Sequence, residues 1–167
     1  VGSEMCIRDR LNVGVGYRVD FVELDLLKWE NVLRTNVTLP LFMIKELLYL
    51  LASNNGVVIF TGSLMGDVPH SGSLAYGVSK SAVHGMVKNL VKFLSPYKIR
   101  VNAVAPGFTE TYWHKDKPKE FLERISNKIA VHRWANADEI ADAYIFLLEN
   151  SYMNGEVLHI NGGYNYF

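Results

Sequence analysis

Three side chains in this 167-residue sequence are of types that can move a proton on and off an oxygen: Ser63, Tyr76 and Lys80. Tyr76 and Lys80 stand four apart, so on a helix they share one face, a turn apart. A phenol alone is a poor base near neutrality, with an ordinary pKa of about 10. A lysine cation beside it favours tyrosinate and is expected to draw that value down. Such a phenol can give a proton to a carbonyl oxygen or take one from an alcohol. Ser63, some dozen residues upstream, would hydrogen-bond the same oxygen and steady the charge that develops there. No side chain carries a hydride, so a nicotinamide cofactor must supply it. The Tyr-x-x-x-Lys spacing alone is common by chance. Placement decides.

The elements that would place these groups alternate between helical patterns and short apolar runs, the pattern of an α/β parallel sheet. Asp25 can cap a helix beginning at Leu26, and a second helical stretch runs from Leu41 to Leu51. Val57-Val58-Ile59-Phe60 reads as a strand buried on both faces, ending at Thr61-Gly62-Ser63. Open α/β sheets place ligands at the carboxyl ends of such strands. A long helix from Leu74 to Leu94 starts from that same edge and carries Tyr76 and Lys80; Pro96 stops it. Ile99–Ala105 is expected to be the next strand, followed by helices over 119–129 and 138–148 and a final strand, Val157–Ile160. That makes at least three strands. Val1–Arg10 fits no element and reads as a non-native leader.

With these residues in place the chain, over residues 11 to 167, resembles a short-chain dehydrogenase/reductase of the single-domain branch. Its Arg-Val-Asn-x-Val-x-Pro-Gly motif stands at Arg100–Gly107, and its catalytic Asn fits Asn36 in Trp29-Glu30-Asn31-Val32-Leu33-Arg34-Thr35-Asn36-Val37. The ending Gly155–Gly163 is similar to the family's last strand and turn, with Asn161 where Asp is usual. Leu11-Asn12-Val13-Gly14 stands where the family has Asn-Asn-Ala-Gly, and only Asn12 and Gly14 carry over. The resemblance implies a Rossmann-like doubly wound parallel sheet, here its C-terminal catalytic part. It also implies a carbonyl or secondary-alcohol substrate and NAD or NADP as cofactor. It assigns catalysis to Asn36, Ser63, Tyr76 and Lys80, with Asn36 holding a relay water. Cofactor binding falls to Asn12, Gly14, Tyr76, Lys80, Pro106, Gly107 and Thr111, with Thr109 as its stand-in.

The family's first strand and Gly-rich turn have no counterpart, and Gly14-Val15-Gly16 does not continue as Gly-x-Gly-x-x-Gly. The chain alone is therefore expected to bind NAD(P) poorly. A non-catalytic binding or assembly module, or an inactive fragment, is the alternative to the enzyme.

Other classes are disfavoured. Seventeen basic residues balance seventeen acidic ones, giving no field for nucleic acid or an anionic membrane. Lys115, Lys117 and Lys119 interleave with Asp116 and Glu120 as a solvated face. A single cysteine, Cys6, excludes a disulfide framework, and neither a membrane span nor a secretory signal is visible, so the default location is the cytoplasm. Asn36-Val37-Thr38 is an accidental glycosylation sequon. His70, His84, His114, His132 and His159 show no metal spacing and are assigned surface or loop roles, with His70 a candidate for substrate contact. Tyr112 and Trp113 lie where the family builds its substrate lid, within 108–134. Thr61-Gly62-Ser63-Leu64-Met65-Gly66 lacks the nucleophile-elbow spacing of a serine hydrolase. Helices 41–52 and 82–94 are apolar on more than one face, which predicts a homodimer or homotetramer.

Overall fold

In the computed structural model, which describes residues 8–69, 72–111 and 117–166, four strands form one parallel sheet in the order β1-β2-β3-β4. They are β1 (Arg8–Leu11), β2 (Val57–Thr61), β3 (Arg100–Pro106) and β4 (Val157–Ile160). Helices cover both faces, so the α/β, Rossmann-like architecture is as expected. The boundary at the start differs. Arg8–Leu11, set aside as leader up to residue 10, pairs with β2, Arg8 opposite Val57 and Leu11 opposite Phe60. Pairing is a backbone matter, and an open sheet edge accepts any stretch whose N–H and C=O groups line up. Residues 1–7, Cys6 among them, lie outside the described residues.

Alternation along the buried strands sorts the core into two layers. Val58 and Phe60 of β2 and Val101 and Ala103 of β3 face α2 (Leu39–Glu46), α3 (Leu48–Ala52) and α4 (Leu74–Leu94), packing on Ile44, Leu51, Val83 and Val87. Val57, Ile59 and Val104 face α6 (Ala137–Glu149) through Ile140, Ala143 and Leu147. A smaller cluster of Ile125, Ile129 and Trp134 anchors α5 (Lys119–Ser126).

The helical run after Asp25 is more continuous than its pattern suggests. Asp25 caps α1 (Leu26–Leu33), its carboxylate accepting from Lys28 N at 2.8 Å. A π-helical turn, Arg34–Thr38, then joins α1 directly to α2. Pro40 explains it: an α-helix would need its N–H for the carbonyl of Asn36, and proline has none. The stretch expected as one helix over Leu41–Leu51 breaks between Glu46 and Leu48 into α2 and α3.

The Arg-Val-Asn motif is structural. The Arg100 guanidinium donates to the carbonyls of Leu147, Leu148 and Met153 at 2.8–3.0 Å, closing the carboxyl end of α6. Asn102, fully buried, donates to Met153 O and accepts from Glu156 N, fixing the approach to β4. Phe42, Tyr49 and Leu50 on α2 and α3 and Phe93 on α4 stay exposed. No helix among the described residues is long and apolar enough to cross a membrane.

Two glycines should respond oppositely to alanine. Gly107 closes β3 against the final turn, and a Cβ there would lie 2.8 Å from the Cα of Asn161, a backbone atom that cannot step aside. Gly85, inside α4, has nothing within 4 Å of the same position. Gly107→Ala is expected to cost about 1–3 kcal/mol, and Gly85→Ala to add about 0.5–1 kcal/mol. Thermal melts of the two variants check this; a Gly107→Ala midpoint at or above the parent's would contradict it.

Candidate active site

Lys80 is the deepest charged group among the described residues, 4% exposed, on the inner face of α4. Its ammonium donates to the carbonyl of Thr61 at 2.7 Å, the last residue of β2, and so ties helix to strand end. Burial pulls its pKa down to about 8. One turn earlier, Tyr76 carries a phenol that hydrogen-bonds the Ser63 side chain. Ser63 is itself buried and accepts from Met65 N at 3.1 Å. Lys80 Nζ stands over the Tyr76 ring, 5.6 Å from its centroid.

The electrostatic expectation for Tyr76 needs correcting. Burial pushes the phenol above its ordinary value, and the Ser63 bond only partly offsets this. The ammonium lies over the ring and spends a hydrogen bond on Thr61, so desolvation of the phenolate prevails. Tyr76 is therefore a neutral phenol in this site.

Ser63, Tyr76 and Lys80 line one cleft of about 1140 Å³ at the carboxyl ends of the strands. Asn12, Gly14, Pro106, Gly107, Thr109 and Thr111 line it too. Asn12 Oδ1 accepts from the Thr61 hydroxyl at 2.8 Å. Thr109 donates to Gly107 O at 3.3 Å and bridges to Ala135, whereas Thr111 stands exposed on the rim. Gly14 and Gly16 leave one wall without side chains, and a Cβ on Gly14 would sit 3.7 Å from Lys80 Nζ.

Asn36 is not among the lining residues. Its amide, buried in the π turn, donates to Val15 O and Ser79 Oγ and accepts from Val15 N, all at 2.9 Å. Both donors are thereby used in holding the Gly14–Val15 segment beside Lys80. At 3% exposure it also offers no access to a glycosylating enzyme. Asn161 keeps the final turn despite replacing Asp, since its Oδ1 accepts from Gly163 N at 3.0 Å. His70, Tyr112, Trp113, His114, Lys115 and Asp116 lie outside the described residues.

Sequence reading missed several groups. Tyr144 of α6 reaches the mouth and shares a 2.6 Å hydrogen bond with the Thr61 hydroxyl. Only the sheet topology brings those two residues together. Arg18, Lys117, Arg124 and Lys128 line the cleft, and no carboxylate does among the described residues. The surface role given to His84 is wrong: it is 6% exposed, packed behind Ser63. The signal was present, because His84 continues the four-residue stripe of Tyr76 and Lys80 on the inner face of α4.

A family model described as Enoyl-(Acyl carrier protein) reductase matches residues 11–165. The chain is 33% identical over 156 residues to 3-oxoacyl-(acyl-carrier-protein) reductase FabG of Aquifex aeolicus (strain VF5), covering 91% of this chain and 62% of that protein. Among solved structures, a gluconate 5-dehydrogenase from Burkholderia cenocepacia J2315 in complex with NADP and tartrate superposes with TM-score 0.88 at 22% identity, covering 95% of this chain and 64% of that one. The Pseudomonas aeruginosa RhlG/NADP active-site complex gives TM-score 0.88 at 30% identity, covering 94% and 65%. The chain thus spans less than two thirds of the length of these relatives.

The buried lysine makes a signed prediction. A lysine whose folded pKa is depressed to about 8 from 10.5 weakens the fold below the lower value, and the penalty is relieved as pH rises between the two. Relative to the parent, Lys80→Met should therefore gain stability at pH below about 8 and lose that advantage toward the ordinary lysine value of about 10.4. Denaturant melts across this range test it. A difference independent of pH would show that Lys80 titrates normally.

Proposed function

Because the chain belongs to the short-chain dehydrogenase/reductase family, we propose that it is the catalytic part of an NAD(P)-dependent oxidoreductase interconverting a carbonyl and a secondary alcohol. The observation that supports this most is the hydrogen bond between the Ser63 hydroxyl and the Tyr76 phenol at a cleft floored by Lys80. When bound, the nicotinamide supplies or removes the hydride. Everything else falls to the chain's own residues. Gly14, Pro106, Gly107 and the Thr109–Thr111 segment would hold the ring. Ser63 would donate to the substrate oxygen and orient it. Tyr76, kept neutral by burial, would deliver its proton to that oxygen as the carbonyl is reduced.

Lys80, predominantly protonated near neutrality with a pKa of about 8, would balance the charge left on the phenol at that moment. It holds its position through Thr61 O. Asn36, its side-chain donors committed to Val15 and Ser79, would serve by fixing the wall beside Lys80. The cationic lining from Arg18, Lys117, Arg124 and Lys128 suits a ligand carrying negative charge, whether cofactor phosphate or an acidic substrate.

The exposed apolar side chains of α2, α3 and Phe93 of α4 suit association of copies into a dimer or tetramer. A monomeric mass for the complete protein by sedimentation would count against that assembly.

In the complete enzyme, Tyr76→Phe should lower NAD(P)H-dependent ketone reduction by at least about 10²-fold while leaving the circular dichroism spectrum unchanged. Activity close to the parent's would end this assignment.

A further inference from the structure

Behind Ser63, the loop from Gly62 to Asp67 is folded around one imidazole. His84 lies between Gly62 and Gly66: a Cβ on Gly66 would stand 2.6 Å from His84 Cε1, and one on Gly62 would collide with His84 Nε2. The Ser63 backbone N–H donates to His84 Nε2 at 3.3 Å. His84 Nδ1 stands 3.2 Å from Asp67 Oδ1, and the other carboxylate oxygen of Asp67 is 2.6 Å from His159 Nε2, on β4. Two glycines, one amide and one carboxylate thus meet one ring.

Two side-chain imidazoles and a carboxylate this close could also ligate a metal ion, and proton bookkeeping separates the readings. A neutral imidazole bound to a metal through Nδ1 carries its hydrogen on Nε2. Nε2 would then be a donor facing another donor, the Ser63 N–H. The observed contact needs the opposite tautomer, hydrogen on Nδ1 and a lone pair on Nε2. An Asp67 carboxylate accepting from Nδ1 fixes that tautomer.

We infer that His84 is a positioning residue for Ser63: Asp67 holds the proton on Nδ1, leaving Nε2 to accept the Ser63 N–H and to set the backbone from which the serine hydroxyl reaches the substrate oxygen. The inference rests on the role proposed above for Ser63. His159 donates to the far side of Asp67 and so couples the loop to the last strand. The charged and titratable groups facing His84 are Asp67 from the loop, His159 from β4 and Lys80 from its own helix. Burial holds His84 below its ordinary value, with Asp67 opposing. The ring is therefore neutral near pH 7, and protonation of Nε2 in acid would break the bond to Ser63.

The test combines imidazole nitrogen NMR with kinetics on the complete enzyme. Near neutral pH His84 is expected as the Nδ1–H tautomer, with the Ser63 amide resonance moving as His84 titrates below about 6.5. His84→Gln, which can present an acceptor at the Nε2 position, should keep the Ser63 amide shift and most of kcat. His84→Leu, which cannot, should lose that shift and about 100-fold in kcat with KM little changed. Should His84→Leu not fold, Asp67→Asn at a part-exposed carboxylate should raise the Nε2–H fraction and lower kcat in step. An Nε2–H tautomer in the parent, one equivalent of zinc coordinating His84, or parent-like kcat in His84→Leu would each overturn the inference. So would an Asp67→Asn variant unchanged in both tautomer and kcat. An inactive parent with the Nδ1–H tautomer intact would instead overturn the oxidoreductase reading.

Discussion

A buried ammonium must have its protons received by something, and in this fold the receiver is the carbonyl at the end of β2. The 2.7 Å bond from Lys80 to Thr61 O sets where α4 lies along the sheet. Once that register is set, the four-residue stripe does the rest. Tyr76 falls one turn nearer the helix start, beside Ser63, and His84 falls one turn further, behind it. The helix start is secured independently: Ser73 caps it and also donates to Tyr17 O at 2.6 Å. The site is therefore one strand end and one helix face locked together, with a loop threaded between them.

That construction explains why the cleft is electrostatically one-sided. Burying Lys80 costs it much of its proton affinity, and the same burial costs Tyr76 its ability to ionise. Burial disfavours the charged form of both groups, leaving Lys80 a weakened cation hydrogen-bonded to a backbone carbonyl and Tyr76 a retained phenol. A neutral phenol keeps its proton until the oxygen it faces becomes basic enough to take it. Further positive charge lines the cleft at Arg18, Lys117, Arg124 and Lys128.

Much of this was legible in the sequence, for identifiable physical reasons. β2 and α4 announced themselves because a continuous, largely β-branched run and a long unbroken helical pattern have few alternative readings. Asp25, one residue before Leu26, marked a helix start correctly, its carboxylate accepting from Lys28 N. What stayed hidden depends on pairing across the chain. Arg8–Leu11 has no apolar alternation and becomes a strand only because β2 offers an open edge. The π turn at Arg34–Thr38 follows from Pro40, but a proline equally suits the first turn of a separate helix, so its position alone does not reveal the continuity. Tyr144 and His159 reach their partners only through the sheet order. The direction of the Tyr76 shift could not come from spacing at all, because spacing reports a neighbour's charge and says nothing of burial.

The central claim is that burial, and not the lysine's charge, governs the resting phenol. It is tested most directly by titrating Tyr76 through the chemical shift of its phenolic carbon, assigned by comparison with the spectrum of a variant lacking that hydroxyl. The account predicts a phenol that stays neutral through the physiological range and ionises only above the ordinary value of about 10. A tyrosinate forming well below that value, in step with the charge on Lys80, would contradict it.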